Sequence, residues 1–396
     1  MSDRKIYFDN TATTPVLAKV LDAMLPFLKQ AYGNPQSMHD WGDGPREGVE
    51  QARAKVAGLI GANNNEIIFT SNGTESNNMA VKGLAMAQQA KGKHIVVSAI
   101  EHFSVLHSTK TLQKLGFEVT EIPIDSYGQV SLDDIKKVLK DDTILVSIML
   151  ANNEIGTIQP IKEIAAIVKE AGIVFHTDAV AAAGNIPIDV TELGVNAMSI
   201  AANQFYGPKG AAALYLKKGT RIIPLLDGGI QESGKRAGTE NVPAIVGMGV
   251  AADVAKAGME TRAKQLTSIR DRLIKGLTTK IDNIILTGHP SSRLPGHASF
   301  CVEFIEGESL LMLLSSQGIA ASSGSACTSK ALKASHVLTA MGLPPEIAAG
   351  SIVFSIGTSA SEEDIEYVIG ALPSIVDRLR QMSPLYAKYL KDLGGK

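Results

Sequence analysis

Short apolar runs alternate with amphipathic stretches along most of the first 260 residues. HIVVSAI (94–100), TILVSIML (143–150), IVFHTD (173–178) and AAALYL (211–216) read as buried strands. Between them, ESNNMAVKGLAMAQQA (75–90), SVLHSTKTLQKLG (104–116) and IKEIAAIVKEAG (161–172) carry apolar residues at helical spacing. This alternation predicts an α/β fold with a mainly parallel sheet covered by helices on both faces. In such sheets ligands bind at the carboxyl ends of the strands. From about residue 259 the pattern changes. A long polar helix (METRAKQLTSIRDRLIKGL) leads into the strands ASFCVEF and SIVFSIG, then a terminal helix, SEEDIEYVIGALPSIVDRLRQM. That part reads as a smaller α+β domain.

Composition narrows the class. The 396 residues are 45% apolar and 20% charged, a globular balance with room for two domains. Net charge is −2 and no Lys/Arg run occurs, so a nucleic-acid partner is not expected. MSDRKIYFDN has no apolar core of signal-peptide length, and no run approaches the ~20 apolar residues of a membrane span. Two cysteines, Cys301 and Cys327, make no disulfide framework. A cytoplasmic location without membrane association is therefore expected.

Five segments can carry chemistry. TSNGTESNNMAVKG places Gly73 and Thr74 between strand EIIFT and a helix, which suits a phosphate site or a plain helix cap. FHTDAVAAAG ends a strand on Asp178, either as a cap or as a carboxylate for a cofactor nitrogen. GGIQESGKRAGTENV carries Arg236 and Thr239 on a glycine-rich loop, again a phosphate site or a flexible connection. His102 follows a strand directly, at a strand-end position shared with Asn153 and Asp178, where it can face a ligand. ASSGSACTSKALKAS surrounds Cys327 with small and hydroxyl residues, the setting of an accessible, reactive thiol. Cys301, flanked by Phe300 and Val302, reads as core.

In order along nearly the whole chain, YFDNTATTPV, GNPQSMH, TSNGTESNN, NNEIGTIQPI, HTDAV, YGPKG, ESGKRAGTENV, EGESLL, SSGSACTS and MSPLYAKYL resemble the NifS/IscS-type cysteine desulfurases. These belong to the class V aminotransferase group of pyridoxal-phosphate (PLP) enzymes. The resemblance implies the PLP fold-type I architecture, with a seven-stranded-type sheet. It assigns residues 14–258 to a large domain, and 1–13 with 259–396 to a small α+β domain. It also implies that Thr74 binds the cofactor phosphate, His102 stacks on the ring, Asn153 lies near the ring oxygen and Asp178 meets the pyridinium nitrogen. Thr239 would complete the phosphate site from the partner subunit of a homodimer. Cys327 would carry the persulfide, and MSPLYAKYL would engage an IscU-type iron–sulfur scaffold.

The pattern breaks at the centre. The family ends its cofactor strand with a Ser-Gly-His-Lys-like sequence five residues before the GPKG lysine. Registering on YGPKG gives Ala201-Ala202-Asn203-Gln204, so Gln204 stands at the Schiff-base position and Asn203 at its histidine neighbour. Ala201 replaces a phosphate-binding serine, Ala181 the usual glutamine, and Val353 the arginine expected for a substrate carboxylate. Lys209 belongs to the turn, where the family carries a second lysine. Three readings follow. The chain has lost standard chemistry, as a pseudoenzyme that keeps Cys327 for sulfur handling or as a ligand to an iron–sulfur cluster. Alternatively it is an active desulfurase with noncovalent PLP and another base, His102 or Lys209. Or it is an unrelated enzyme reusing the pocket, with no PLP at all.

Overall fold

The computed structural model describes residues 4–324 and 334–394. Its strands are β1 (Ile6–Tyr7), β2 (Ile67–Thr70), β3 (His94–Ser98), β4 (Glu118–Ile122), β5 (Thr143–Ser147), β6 (Val174–Asp178) and β7 (Ala197–Ala201). They continue with β8 (Ala212–Leu216), β9 (Ile284–Leu286), β10 (His297–Val302), β11 (Ile319–Ala320) and β12 (Ser351–Ser355). A seven-stranded sheet has the order β2-β8-β7-β6-β5-β3-β4. Strands β4, β3, β5, β6 and β7 are mutually parallel, and β8 runs antiparallel to both its neighbours. The mixed α/β fold expected from the alternation is the one observed.

The sheet is buried on both faces because its strands are apolar at successive positions. Val96, Val146, Met198 and Ala213 point into one core, together with Val56, Phe175 and Met248. Their neighbours Val97, Leu145, Ala197 and Leu214 point into another, with Met79, Leu84 and Leu112. Successive side chains on a strand face opposite ways, so these cores are the two sides of one sheet.

A smaller assembly combines the antiparallel sheet β12-β10-β9 with the parallel pair β1-β11. Its core joins Phe8, Phe300 and Phe354 to Leu273, Leu277 and Val368. The helix Glu362–Gln381 covers it, started by a capping box between Ser361 and Asp364. The terminal helix Pro384–Gly394 lays Tyr386 and Tyr389 against Phe304, with ring centroids 5.6 and 4.6 Å away.

Residue 259, where the sequence pattern changes, begins no element. A single helix, Val242–Lys280, runs straight through the 258/259 boundary. Its first half buries Ile245, Met248 and Ala252 in the large core, and its second half buries Leu266, Leu273 and Leu277 in the small one. The change in composition marks passage between cores rather than a linker. By length and composition this helix could cross a membrane, but 56% of its apolar window is buried inside the fold. It is a core helix.

The loop before this helix is pinned rather than loose. Glu232, with its backbone at φ 49°, accepts from Arg53 Nη1 and Nη2 at 2.8 Å each and from the Phe69 amide at 2.8 Å. Its side chain is 3% exposed. Truncation leaves the Arg53 guanidinium with only the exposed Glu50 as its charge partner and takes the acceptor from the Phe69 amide. Glu232→Ala is therefore expected to lower unfolding stability by about 3 kcal/mol in urea titration.

Candidate active site

The carboxyl ends of the parallel strands open onto a cavity of about 380 Å³. One wall is the start of the helix Gly73–Gln88, whose cap Asn72 accepts from the Glu75 amide at 2.9 Å. Glu75 reaches back to the Ser71 amide at 2.8 Å and is held by Arg236 at 2.8 Å. The helix cap is real, and the first-turn residues Gly73 and Thr74 also line the cavity. Glycine is required at 73: a Cβ there would lie 2.7 Å from Val180 Cγ2. The amides and positive dipole end of this 16-residue helix suit an anionic group.

Strand ends build the adjoining part of the lining. Asp178, 4% exposed at the end of β6, accepts from Asn77 Nδ2 at 2.6 Å and from the Val180 amide at 2.9 Å. Burial raises its pKa, opposed by the Val180 amide, the charge of His102 and the Asn77 amide. His102 caps the helix Phe103–Lys114, its Nδ1 accepting from the Ser104 amide at 3.1 Å. That contact fixes the ring at the cavity edge. Asn153 and Glu154 follow β5 on a turn shaped by buried Asn152, whose Oδ1 accepts from the amides of Glu154 at 2.8 Å and Ile155 at 3.0 Å. Burial pushes Glu154 up to about 7, against a hydrogen bond from Ser335.

Beneath the cavity Glu101 is fully buried and accepts from Ser98 Oγ at 2.5 Å and the Met149 amide at 2.8 Å. Its Oε2 has no protein partner. Burial pushes its pKa up to about 8, against those two hydrogen bonds.

The five positions that the sequence marks as departing from the family pattern converge on the same space. Ala181, Ala201, Asn203, Gln204 and Val353 all line it. Gln204 sits on a single 3-10 turn after β7 and donates through Nε2 to the Thr11 carbonyl at 2.8 Å. The Asn203 carbonyl accepts from the Thr14 amide at 2.8 Å and hydroxyl at 3.0 Å. Tyr206, at φ 66°, turns the chain sharply afterwards, and the Thr14 hydroxyl accepts from its amide at 2.8 Å. Lys209 is exposed beyond that turn and does not line the cavity.

Two assignments fall elsewhere. Thr239 lines a separate cleft with Phe69, Ser71 and Arg236, away from Asp178 in this chain. Cys327 lies outside the described residues. Cys301 is buried on β10, and burial pushes its thiol up to about 12, which keeps it protonated and inert. Among the described residues, no group of three or more His, Cys, Asp or Glu could hold a metal ion. Sequence reasoning missed Asp9, Asn77 and Glu154. Asn77 follows Gly73 and Thr74 at helical spacing, which could have found it; Asp9 gave no such signal.

The class-V aminotransferase family model matches residues 6–368. Cysteine desulfurase IscS of Methanosarcina thermophila is 52% identical over 99% of this chain and 96% of its own length. The chain belongs to the NifS/IscS cysteine desulfurase family. The same-named protein of Dictyoglomus turgidum is 51% identical, covering 96% of this chain and 97% of its own. A solved NifS-like protein superposes with a TM-score of 0.89 at 39% identity, covering 95% of this chain and all of its own. The desulfurase family is PLP-dependent, and this cavity fits a noncovalent guest of that kind. A helix N-terminus and Asp178 both line it, and Asn77 Oδ1 on the wall is buried and unpartnered. It does not fit covalent attachment, since no described lining residue is a lysine.

The buried carboxyl gives a pH test. Protonated Glu101 stabilises the fold below the unfolded-state value near 4.5, and that stability is lost as pH rises through about 8. Glu101→Gln keeps both accepted hydrogen bonds. Its melting temperature should fall less than that of the wild type between about pH 5 and 8; equal slopes would show that Glu101 is not the group responsible.

Proposed function

We propose that this chain is a cysteine-desulfurase relative that has lost the lysine-dependent reaction and keeps Cys327 for sulfur handling or iron–sulfur cluster assembly. The observation that carries this reading is Gln204. At the cofactor lysine's position stands an amide already bonded to the Thr11 carbonyl. An amide forms no imine with an aldehyde and abstracts no proton, and a positioned base contributes roughly 10²–10⁴-fold to rate. Val353 removes a second requirement, since it cannot give a substrate carboxylate the paired hydrogen bonds of arginine.

The residues that remain could hold PLP without a covalent bond. Thr74 and the helix amides would take the phosphate, His102 the ring face, Asn153 the ring oxygen and Asp178 the ring nitrogen. When bound, PLP supplies an electron sink for an amine substrate. Here the chain would orient it with no lysine among the described lining residues to load or release it. Cys327 would accept sulfur from an external persulfide, forming its own S–S bond and releasing the donor as thiolate. A homodimer would bring Thr239 to the partner's cavity. An IscU-type scaffold would meet the C-terminal segment, where Tyr386 and Tyr389 stack on Phe304.

The decisive measurement is the absorbance of the full chain with PLP and L-cysteine. No visible band fixed to the chain by borohydride is expected, and no sulfide or alanine. Gln204→Lys should gain the fixed band. Sulfide release by the wild type that Cys327→Ser abolishes would instead establish an active desulfurase. Co-purification with a scaffold protein should fail when residues 382–396 are deleted.

A further inference from the structure

No lysine or arginine lines the cavity among the described residues, whereas three carboxyl groups do: Asp9, Glu154 and Asp178. Two buried atoms on its wall have no hydrogen-bond partner in the protein, and both are oxygens: Asp9 Oδ1 and Asn77 Oδ1. Asn77 is 1% exposed, and its orientation is fixed. Its Nδ2 donates to Asp178 Oδ2 at 2.6 Å and Ser104 Oγ at 2.8 Å, so the other end of the amide must be the acceptor. Buried acceptors left open call for a donor from outside the chain.

Asp9 places its acceptor beside the most altered part of the wall. It bridges to Ser355 on β12, and Val353 of the same strand pairs with Ser322 through hydrogen bonds of 2.7 and 3.1 Å. Val353 is 3% exposed and offers only methyl groups. This end of the cavity therefore presents an acid and an apolar surface where an amino-acid carboxylate would need a cation.

We propose that the cavity selects a primary amine that lacks an α-carboxylate, with the ammonium group held by Asp9. The proposal rests on the reading of this cavity as the ligand site and deepens it by naming the ligand class. An ammonium carries three donors and no acceptor, matching the open oxygen of Asp9. At the Asp9 and Val353 end an α-carboxylate would meet an acid and methyl groups with no cation among the described lining residues, which disfavours α-amino acids there. Burial raises the Asp9 pKa, partly offset by the Ser322 hydroxyl; an adjacent ammonium would restore its charged form.

Titration calorimetry on the full chain in reducing buffer tests this with three matched thiols: cysteamine, L-cysteine and 3-mercaptopropionate. Cysteamine should bind roughly tenfold or more tightly than L-cysteine, because both carry the ammonium and only L-cysteine brings a carboxylate against Asp9 and Val353. 3-Mercaptopropionate should not bind. Asp9→Asn, nearly isosteric, should weaken cysteamine by a similar factor with unchanged circular dichroism. Val353→Arg should shift the preference toward L-cysteine; should that buried change unfold the chain, the Asp9→Asn result decides alone. Binding of L-cysteine or 3-mercaptopropionate as tight as cysteamine overturns the proposal. Undetectable cysteamine binding, or an Asp9→Asn variant that binds it unchanged, does the same. None of these outcomes touches the borohydride and sulfide assays, so the two readings fail separately.

Discussion

The segment from Ile6 to Thr14 is hydrogen-bonded at both ends to different cores. The Ile6 amide donates to Gly318 and Asn10 Nδ2 to the Ser355 carbonyl at 2.7 Å, both within the small assembly. The Thr14 amide and hydroxyl then donate to the Asn203 carbonyl, beyond the end of β7 in the large sheet. Everything about the cavity depends on this strap. It supplies Asp9 and Thr11 to the wall, and its backbone carbonyl at Thr11 occupies the Gln204 amide. The Gln204 side chain is thereby tied to the wall.

The polar network of the site does structural and chemical work at once. Asn77 joins the helix Gly73–Gln88 to the end of β6 through Asp178, and Asn152 shapes the turn that carries Asn153 and Glu154. Such networks hold geometry only when nearly every member is satisfied. The unsatisfied members are therefore informative: they mark where something other than the protein completes the set. Among the described lining residues there is no Lys or Arg, and the open acceptors still have a direction.

Much of the fold was legible in the sequence because parallel strands buried on two faces must read as continuous apolar runs. HIVVS, TILVS and AMSIA do so, and the flanking amphipathic stretches became helices. That Ala181, Ala201, Asn203, Gln204 and Val353 share one cavity was also legible, since the resemblance had grouped them around a single site. The helix Val242–Lys280 was misread at residue 259, because composition reports the partner a helix packs on, not where it ends. Asp9 and Glu154 were invisible for a different reason. Their significance comes from burial and from neighbours hundreds of residues away, such as Asp9 against Ser355 and Glu154 against Ser335.

That same helix has a mechanical consequence. At about 1.5 Å per residue its 39 residues form a rod of roughly 58 Å, built into both cores. Two bodies that share a rigid axle cannot swing about a flexible joint between them. Relative movement must bend the rod or roll one body around it, and melting either body frays the other's longest element. The shared helix therefore couples the unfolding of the two assemblies, whatever their separate sheets suggest.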